Sequence, residues 1–301
     1  MRHQPRLEYA CPHTSRTASP SGATPGARED VDCARASSLQ QLINDLRMLR
    51  QQHELLLTWT LREVKVRYKQ SLLGAAWALL QPLALMLVFS VVFSVLVRVP
   101  SDGVPYPIFS YTAVLAWTFL ASSVSFAVPS LVSNFNLVTK IYFPREILPI
   151  ASVGAALVDF LVASIILLPA LVWFRIPLTP MLAWVPVLIV LQVVLTLGVV
   201  LPASAVNVFY RDVRFVVPLV TQVWLYATPV IYPTSLVPES LRFLYMLNPM
   251  VGIIDSYRRV VLLGQAPDLA YLSTSATISF GLAIAGYRLF KRSESAFADL
   301  I

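Results

Sequence analysis

The stretch NVFYRDVRFVVPLVTQVWLYATPVIYP, residues 207–233, decides how this chain is read. Three charges, Arg211, Asp212 and Arg214, sit together in FYRDVR (209–214). The sequence is uncharged back to Ile176 on one side and forward to Pro238 on the other. A bilayer core about 30 Å thick takes roughly 20 helical residues to cross. Two runs of that order joined by a compact charged turn read as two membrane crossings.

Working outward, the composition agrees. Of 301 residues, 57% are hydrophobic and 13% charged, against about 45–50% and about 25% in ordinary soluble domains. Mean hydropathy is +0.69, net charge +7 and pI near 9.6. The Lys and Arg residues flank apolar runs and form no continuous stripe. The basic balance therefore suits membrane orientation and not a nucleic-acid partner.

Further uncharged or nearly uncharged runs cover 70–97, 103–139, 147–174 (broken only by Asp159) and 269–287. They predict an all-α integral membrane protein with six spans, near 76–97, 113–133, 150–173, 182–205, 215–232 and 270–289. Pro82, Pro129, Pro169, Pro186 and Pro218 fall near or inside these runs, so kinks are expected. Residues 1–36, rich in Pro, Ser, Thr, Ala and Arg, read as a disordered tail or an over-long start, with no apolar region of the signal-peptide kind.

Residues 37–70 read as amphipathic interface helices. Ser38 with Gln41 has the capping-box pattern, and Leu39, Leu42, Ile43, Leu46 and Leu49 recur at helical spacing. LREVKVRYKQS (61–71) is basic and half apolar, suiting a helix lying in the membrane interface, with Arg62, Lys65, Arg67 and Lys69 reaching the head groups. Residues 71–301 form the six-helix domain.

Six spans put both termini on one side. Arg62, Lys65, Arg67, Lys69, Lys140, Arg145, Arg211, Arg214, Arg288, Lys291 and Arg292 fall at one set of span ends, against Arg98, Arg175, Arg242, Arg258 and Arg259 at the other. The richer set marks the cytoplasmic side. FYRDVR and TKIYFPREILP (139–149) are then cytoplasmic turns.

The outer linker between spans five and six carries PESLRFLYMLNP (238–249), a short helix closed at Asn248-Pro249. Next come Met250, Ile253, Ile254, Tyr257, Val260 and Val261, an apolar helical stripe with Asp255, Arg258 and Arg259 opposite and Gly264 as a stop. These helices are too short to span. They lie flat on the outer surface or dip into the membrane.

The residue types exclude much chemistry. Cys11 and Cys33 lie in the tail without a CxxC pair, and His3, His13 and His53 precede the first apolar run. The spans thus lack the usual nucleophile–base pairs and zinc ligands. GLAIAGYR (281–288) lacks the Lys-Ser/Thr of a phosphate loop, so ATP is not hydrolysed here by that route. Asp102, Glu239, Asp255 and Asp268 are scattered over loops, which makes a membrane enzyme the poorest reading. Asp159 is the one ionisable residue well inside a span. It costs about 2.5–3.5 kcal/mol there unless it faces the bundle or water. A proton or cation site, a structural lock between helices and the lining of a polar conduit all remain open. Span aromatics such as Trp117, Phe126 and Trp224 suit an interface belt, packing, or stacking on sugars.

LREVKVRYKQSLLGAAWALLQPLALMLVFSVVFS (61–94), NLVTKIYFPREILP (136–149) and residues 207–233 together resemble the permeases of ABC-type polysaccharide exporters, the membrane subunits that export O-antigen, capsule and teichoic acid chains. The resemblance runs from about residue 40 to the C-terminus. It implies a permease in the cytoplasmic (inner) membrane, pairing with a second copy of itself and with a separate ABC-type ATPase. The cargo would be a lipid-linked polysaccharide. No cofactor would bind this chain, since ATP and Mg would sit on the ATPase. Residues 55–70, including Tyr68, would be the interface helix. Lys140, Tyr142, Arg145 and Glu146 in one turn, and Tyr210, Arg211, Asp212 and Arg214 in the other, would couple to the ATPase. The linker 234–267, with Asn248, Pro249, Asp255, Tyr257, Arg258 and Arg259, would form a re-entrant outer gate. Export of a small lipid or drug, and an ion-coupled carrier centred on Asp159, are the rival readings.

Overall fold

Continuous apolar sequence has to satisfy its own backbone in lipid, and a helix does this within one segment. The computed structural model follows that rule: among the described residues, 52–69, 71, 73–74, 76–135, 143–294 and 297, there are helices and no strands. The tail, the segment from Ser38 to Arg50, Lys140 and Tyr142 lie outside the described residues.

Nine helices carry the argument: α1 (His53–Tyr68), α2 (Ala76–Phe89), α3 (Tyr106–Ala127), α4 (Ile147–Ile165), α5 (Val185–Phe209), α6 (Val213–Tyr226), α7 (Glu239–Met246), α8 (Pro249–Arg258) and α9 (Leu269–Glu294). With their short extensions, α2, α3, α4, α5 and α9 are long and apolar enough to cross a membrane, as Ala76–Leu96, Tyr106–Ala127, Ile147–Trp173, Pro180–Phe209 and Leu269–Glu294. The second of these starts at Tyr106, ahead of the expected 113.

The expected span at 215–232 departs from its simple reading. Helix α6 has 14 residues, a length of about 21 Å, short of a full crossing. The chain leaves the helix at Ala227, and Thr228, Pro229, Val230 and Ile231 are buried in a non-helical segment. Such backbone is tolerated at membrane depth only where protein groups satisfy it.

Helix α3 is the centre of the bundle; Phe109, Tyr111, Leu115, Phe119 and Leu120 are all buried. Pro105 and Pro107 bracket its start, where a missing N–H costs nothing. Helices α5 and α9 approach backbone to backbone. A Cβ on Gly198 would lie 2.7 Å from the Ala283 nitrogen, and one on Gly286 would lie 2.7 Å from the Gly198 carbonyl oxygen. Small residues permit this in membranes, where close van der Waals contact replaces the hydrophobic drive between helices. At the periphery α2 buries only Pro82 and α6 buries nothing. Leu87, Val91, Phe215, Leu219 and Val223 are each more than half exposed, an apolar surface that suits lipid or another subunit and not water.

Helix α8 corrects the sequence pattern. The spacing sets an apolar stripe opposite Asp255, Arg258 and Arg259, on a helix lying flat on the outer surface or dipping into the membrane. Instead all ten residues are buried, packed among α3, α5 and α9. Gly264, at φ 64°, ends the helical turn that follows, as the sequence indicates.

Candidate functional site

At the end of the bundle carrying FYRDVR, α5 stops at Tyr210 and α6 starts at Val213. The Val213 N–H donates to the Tyr210 carbonyl at 3.1 Å, and those of Phe215 and Val216 donate to the Asp212 carbonyl at 2.9 and 3.2 Å. The turn is therefore tight, and Tyr210, Arg211, Asp212 and Arg214 are all exposed on it. Arg214 stacks over the Phe215 ring at 4.7 Å.

The other expected coupling turn behaves differently. Glu146 was expected on an exposed docking loop, yet its side chain is only 2% exposed and pairs with Lys291 of α9 at 2.8 Å. Burial pushes its carboxyl above the ordinary range, against the pull of the Lys291 ammonium. Arg145 donates to the Glu294 carbonyl at 2.6 Å and lies 5.9 Å from the Phe297 ring. These two residues fasten the turn to the C-terminal end of the last span. Lys291 and Glu294 were not singled out by the sequence, because a basic cluster after a span reads first as an orientation signal.

Helix α1 also departs from expectation. Arg67, expected at the head groups, and Tyr68 of the interface helix both turn toward Asp159 of α4. Arg67 donates to the Asp159 carboxylate at 2.7 Å and to the Ser152 carbonyl at 3.1 Å, and the Tyr68 hydroxyl donates to the same carboxylate at 2.6 Å. Arg67 also stacks on Phe126 at 4.0 Å. Asp159 lies about 18 Å along α4 from Ile147, beside a cavity of about 210 Å³ that includes Trp77, Gln81 and Ser122. Both carboxylate oxygens are thus engaged by side chains of α1, which suits a lock between α1 and α4. Arg62, Lys65 and Lys69 stay exposed.

At the opposite end, the non-helical segment after α6 meets its donors. Arg258 donates to the carbonyls of Val230 and Tyr232 at 2.9 and 3.1 Å and covers the Phe109 ring at 3.5 Å. The Tyr106 hydroxyl takes the Ile231 carbonyl at 2.7 Å. Asn248 caps α8 by accepting from the Met250 N–H, accepts from the Trp224 indole at 2.9 Å, and donates to Thr228 and the Ala227 carbonyl. Pro249 follows at the first helical position, where it is buried. Asp255 accepts from Thr234 and from Arg259, both at 2.8 Å. Tyr257 donates to Gln192 of α5, whose amide donates to the Ala116 carbonyl. Gln192 was missed because one amide in a long apolar run gives no pattern.

Asn248 and Arg258 thus gather around the broken helix, Asp255 reaches Thr234 just beyond it, and Tyr257 ties α8 to α5. The basic-end residues form two groups: an exposed turn, and a clamp on α9.

The chain matches the ABC-2 type transporter family over residues 54–262. It is 31% identical over 264 residues to the O-antigen export system permease protein RfbA of Myxococcus xanthus, covering 86% of this chain and 100% of that one. A Klebsiella pneumoniae protein of the same name is 29% identical, with 82% and 95% covered. The polysialic acid transport protein KpsM of Escherichia coli is 24% identical, with 76% and 90% covered.

Proposed function

This chain belongs to the ABC-2 type transporter family, and from that premise we propose that it is the permease subunit of an ABC exporter that carries a lipid-linked polysaccharide across the cytoplasmic membrane. The observation that carries the reading is the match along the whole length of a permease named for O-antigen export; the polysialic acid relative points to the same class of cargo. The energy comes from a separate ATPase that binds ATP and Mg.

The exposed FYRDVR turn is the docking element. Its mixed charge at the tip of a tight, backbone-bonded turn transmits a push to both α5 and α6. The Arg145–Glu146 clamp ties the neighbouring turn to α9, so a force there reaches the last span. Both termini are cytoplasmic in this arrangement. Helix α6 and the segment to Pro233 together make the sixth crossing, and α7 and α8 form the outer gate. Two copies assemble, with the unburied faces of α2 and α6 as candidate walls of a shared conduit.

The test is affinity purification of the tagged chain from native membranes in mild detergent, with mass spectrometry and an ATPase assay. A near-stoichiometric ATPase, lost when Arg211 and Arg214 are both reversed to Glu, supports the reading. Deletion is expected to remove the surface glycan. A deletion strain with intact glycan and raised drug sensitivity would point to a small-molecule exporter instead.

A further inference from the structure

At the end of the bundle opposite FYRDVR, a cavity of about 350 Å³ opens among five pieces of chain. Asp102 reaches it from the loop after the first span, Ser235 from the turn after Pro233, Arg242 from α7, Arg258 from α8, and Gln265 and Asp268 from the loop before α9. Its size is at the small end for ligand pockets, about 300–1,000 Å³, and fits one or two sugar rings.

Its lining is unusual in being both highly charged and balanced. Asp102, Asp255 and Asp268 face Arg242, Arg258 and Arg259. No group of three metal-binding side chains occurs among the described residues, which argues against a cation. Carboxylates interleaved with the guanidinium groups argue against an anion. A neutral polyol is different. Each hydroxyl both donates and accepts, so it bridges a carboxylate and a guanidinium at once. Tyr271 adds an aromatic ring on the same wall.

Two further observations mark a built site. Arg258 is 5% exposed, and its two terminal nitrogens hold the carbonyls of Val230 and Tyr232, so it is a fixed part of the cavity wall. The Asp102 carboxylate, which accepts from Ser235 at 3.0 Å, is presented by a residue in the left-handed conformation, φ 50°, with Gly103 next at φ 81°. Backbone of this kind collects where a side chain has to be aimed.

We propose that this cavity is a saccharide-binding subsite, which holds a sugar unit of the glycan as it leaves the outer mouth. This rests on the polysaccharide-export reading. It names where this chain grips sugar, using residues that sit apart from the docking turn and from Asp159.

The test uses the full chain with its ATPase in lipid nanodiscs. Short oligosaccharides released from the producing cell's own surface glycan are the probe, followed by saturation-transfer NMR, with inorganic phosphate as the competing probe. Asp268→Asn keeps the side-chain oxygen that caps α9 but removes the charge, and Arg242→Ala removes an exposed donor. Each is expected to weaken oligosaccharide binding roughly tenfold while ATP hydrolysis is kept. Oligosaccharide binding unchanged in both variants overturns the subsite, as does binding of phosphate and no sugar. Either result leaves the export reading intact if deletion still removes surface glycan. If deletion leaves the glycan in place, the export reading itself fails.

Discussion

At the scale of single residues, Asp159 is governed by its partners. Arg67 is 9% exposed and Asp159 20%, so removing either leaves a charge in a poorly hydrated place, which costs about 3–5 kcal/mol. Asp159→Leu alone and Arg67→Met alone are each expected to lower the melting temperature of the purified protein clearly. The double variant is expected to recover most of that loss, because an apolar pair removes both desolvation costs. If export survives in the double variant, the carboxylate is a lock; complete loss of export in a stable double variant would return Asp159 to an ion-coupled role. Asn248 is a second case. It caps α8 and ties down the Trp224 indole and Thr228. Asn248→Ala is expected to cost about 1–2 kcal/mol, read as lower thermal stability in detergent.

At the scale of elements, the break after α6 and the burial of α8 explain each other. Four carbonyls between Ala227 and Tyr232 are satisfied by Asn248, Arg258 and Tyr106. Arg258→Met strips two of them, at about 1–3 kcal/mol each. Faster hydrogen exchange across 227–233 is the expected signature. Arg258→Lys recovers only part of it, since one ammonium cannot reproduce the planar fork that reaches both carbonyls. The α5–α9 contact gives a sharper test. Gly198→Ala places a Cβ against backbone at 2.7 Å, whereas a Cβ on Gly281 of the same helix pair meets nothing within 4 Å. Gly198→Ala is expected to destabilise the chain and Gly281→Ala to leave it unchanged or slightly better, measured as monodisperse yield after detergent extraction.

At the scale of the whole molecule, the two ends do different work. One presents a compact charged turn and a clamp onto the last span. The other presents a broken helix, a buried helix and a polar cavity. Substituting Cys at Arg211 and at Ser235, on a background without Cys11 and Cys33, separates the ends. A membrane-impermeant thiol reagent on intact spheroplasts is expected to label position 235 and not 211, and inside-out vesicles to reverse the pattern. Labelling of both from one side would contradict the six-crossing arrangement and the proposed route of the glycan.

Hydropathy and charge in the sequence by themselves determined the membrane class, the helical content, five of the crossings and the turn at FYRDVR. These depend on local chemistry: twenty apolar residues in a row have one solution in lipid, wherever their neighbours lie. The stop at Gly264 and the end of α7 before Asn248-Pro249 were legible for the same reason, since each acts within a few residues; that Asn248 also caps α8 was not read from the sequence. Only the tertiary structure decided that Arg67 and Tyr68 turn in to Asp159, that Glu146 is buried against Lys291, that α6 stops short, and that Arg258 is buried. Each of these depends on a partner far along the chain: 92 residues separate Arg67 from Asp159 and 28 separate Arg258 from Val230. The side of a helix that a charge occupies can be read from its spacing. Whether that side faces lipid, water or a broken backbone is settled by what packs against it.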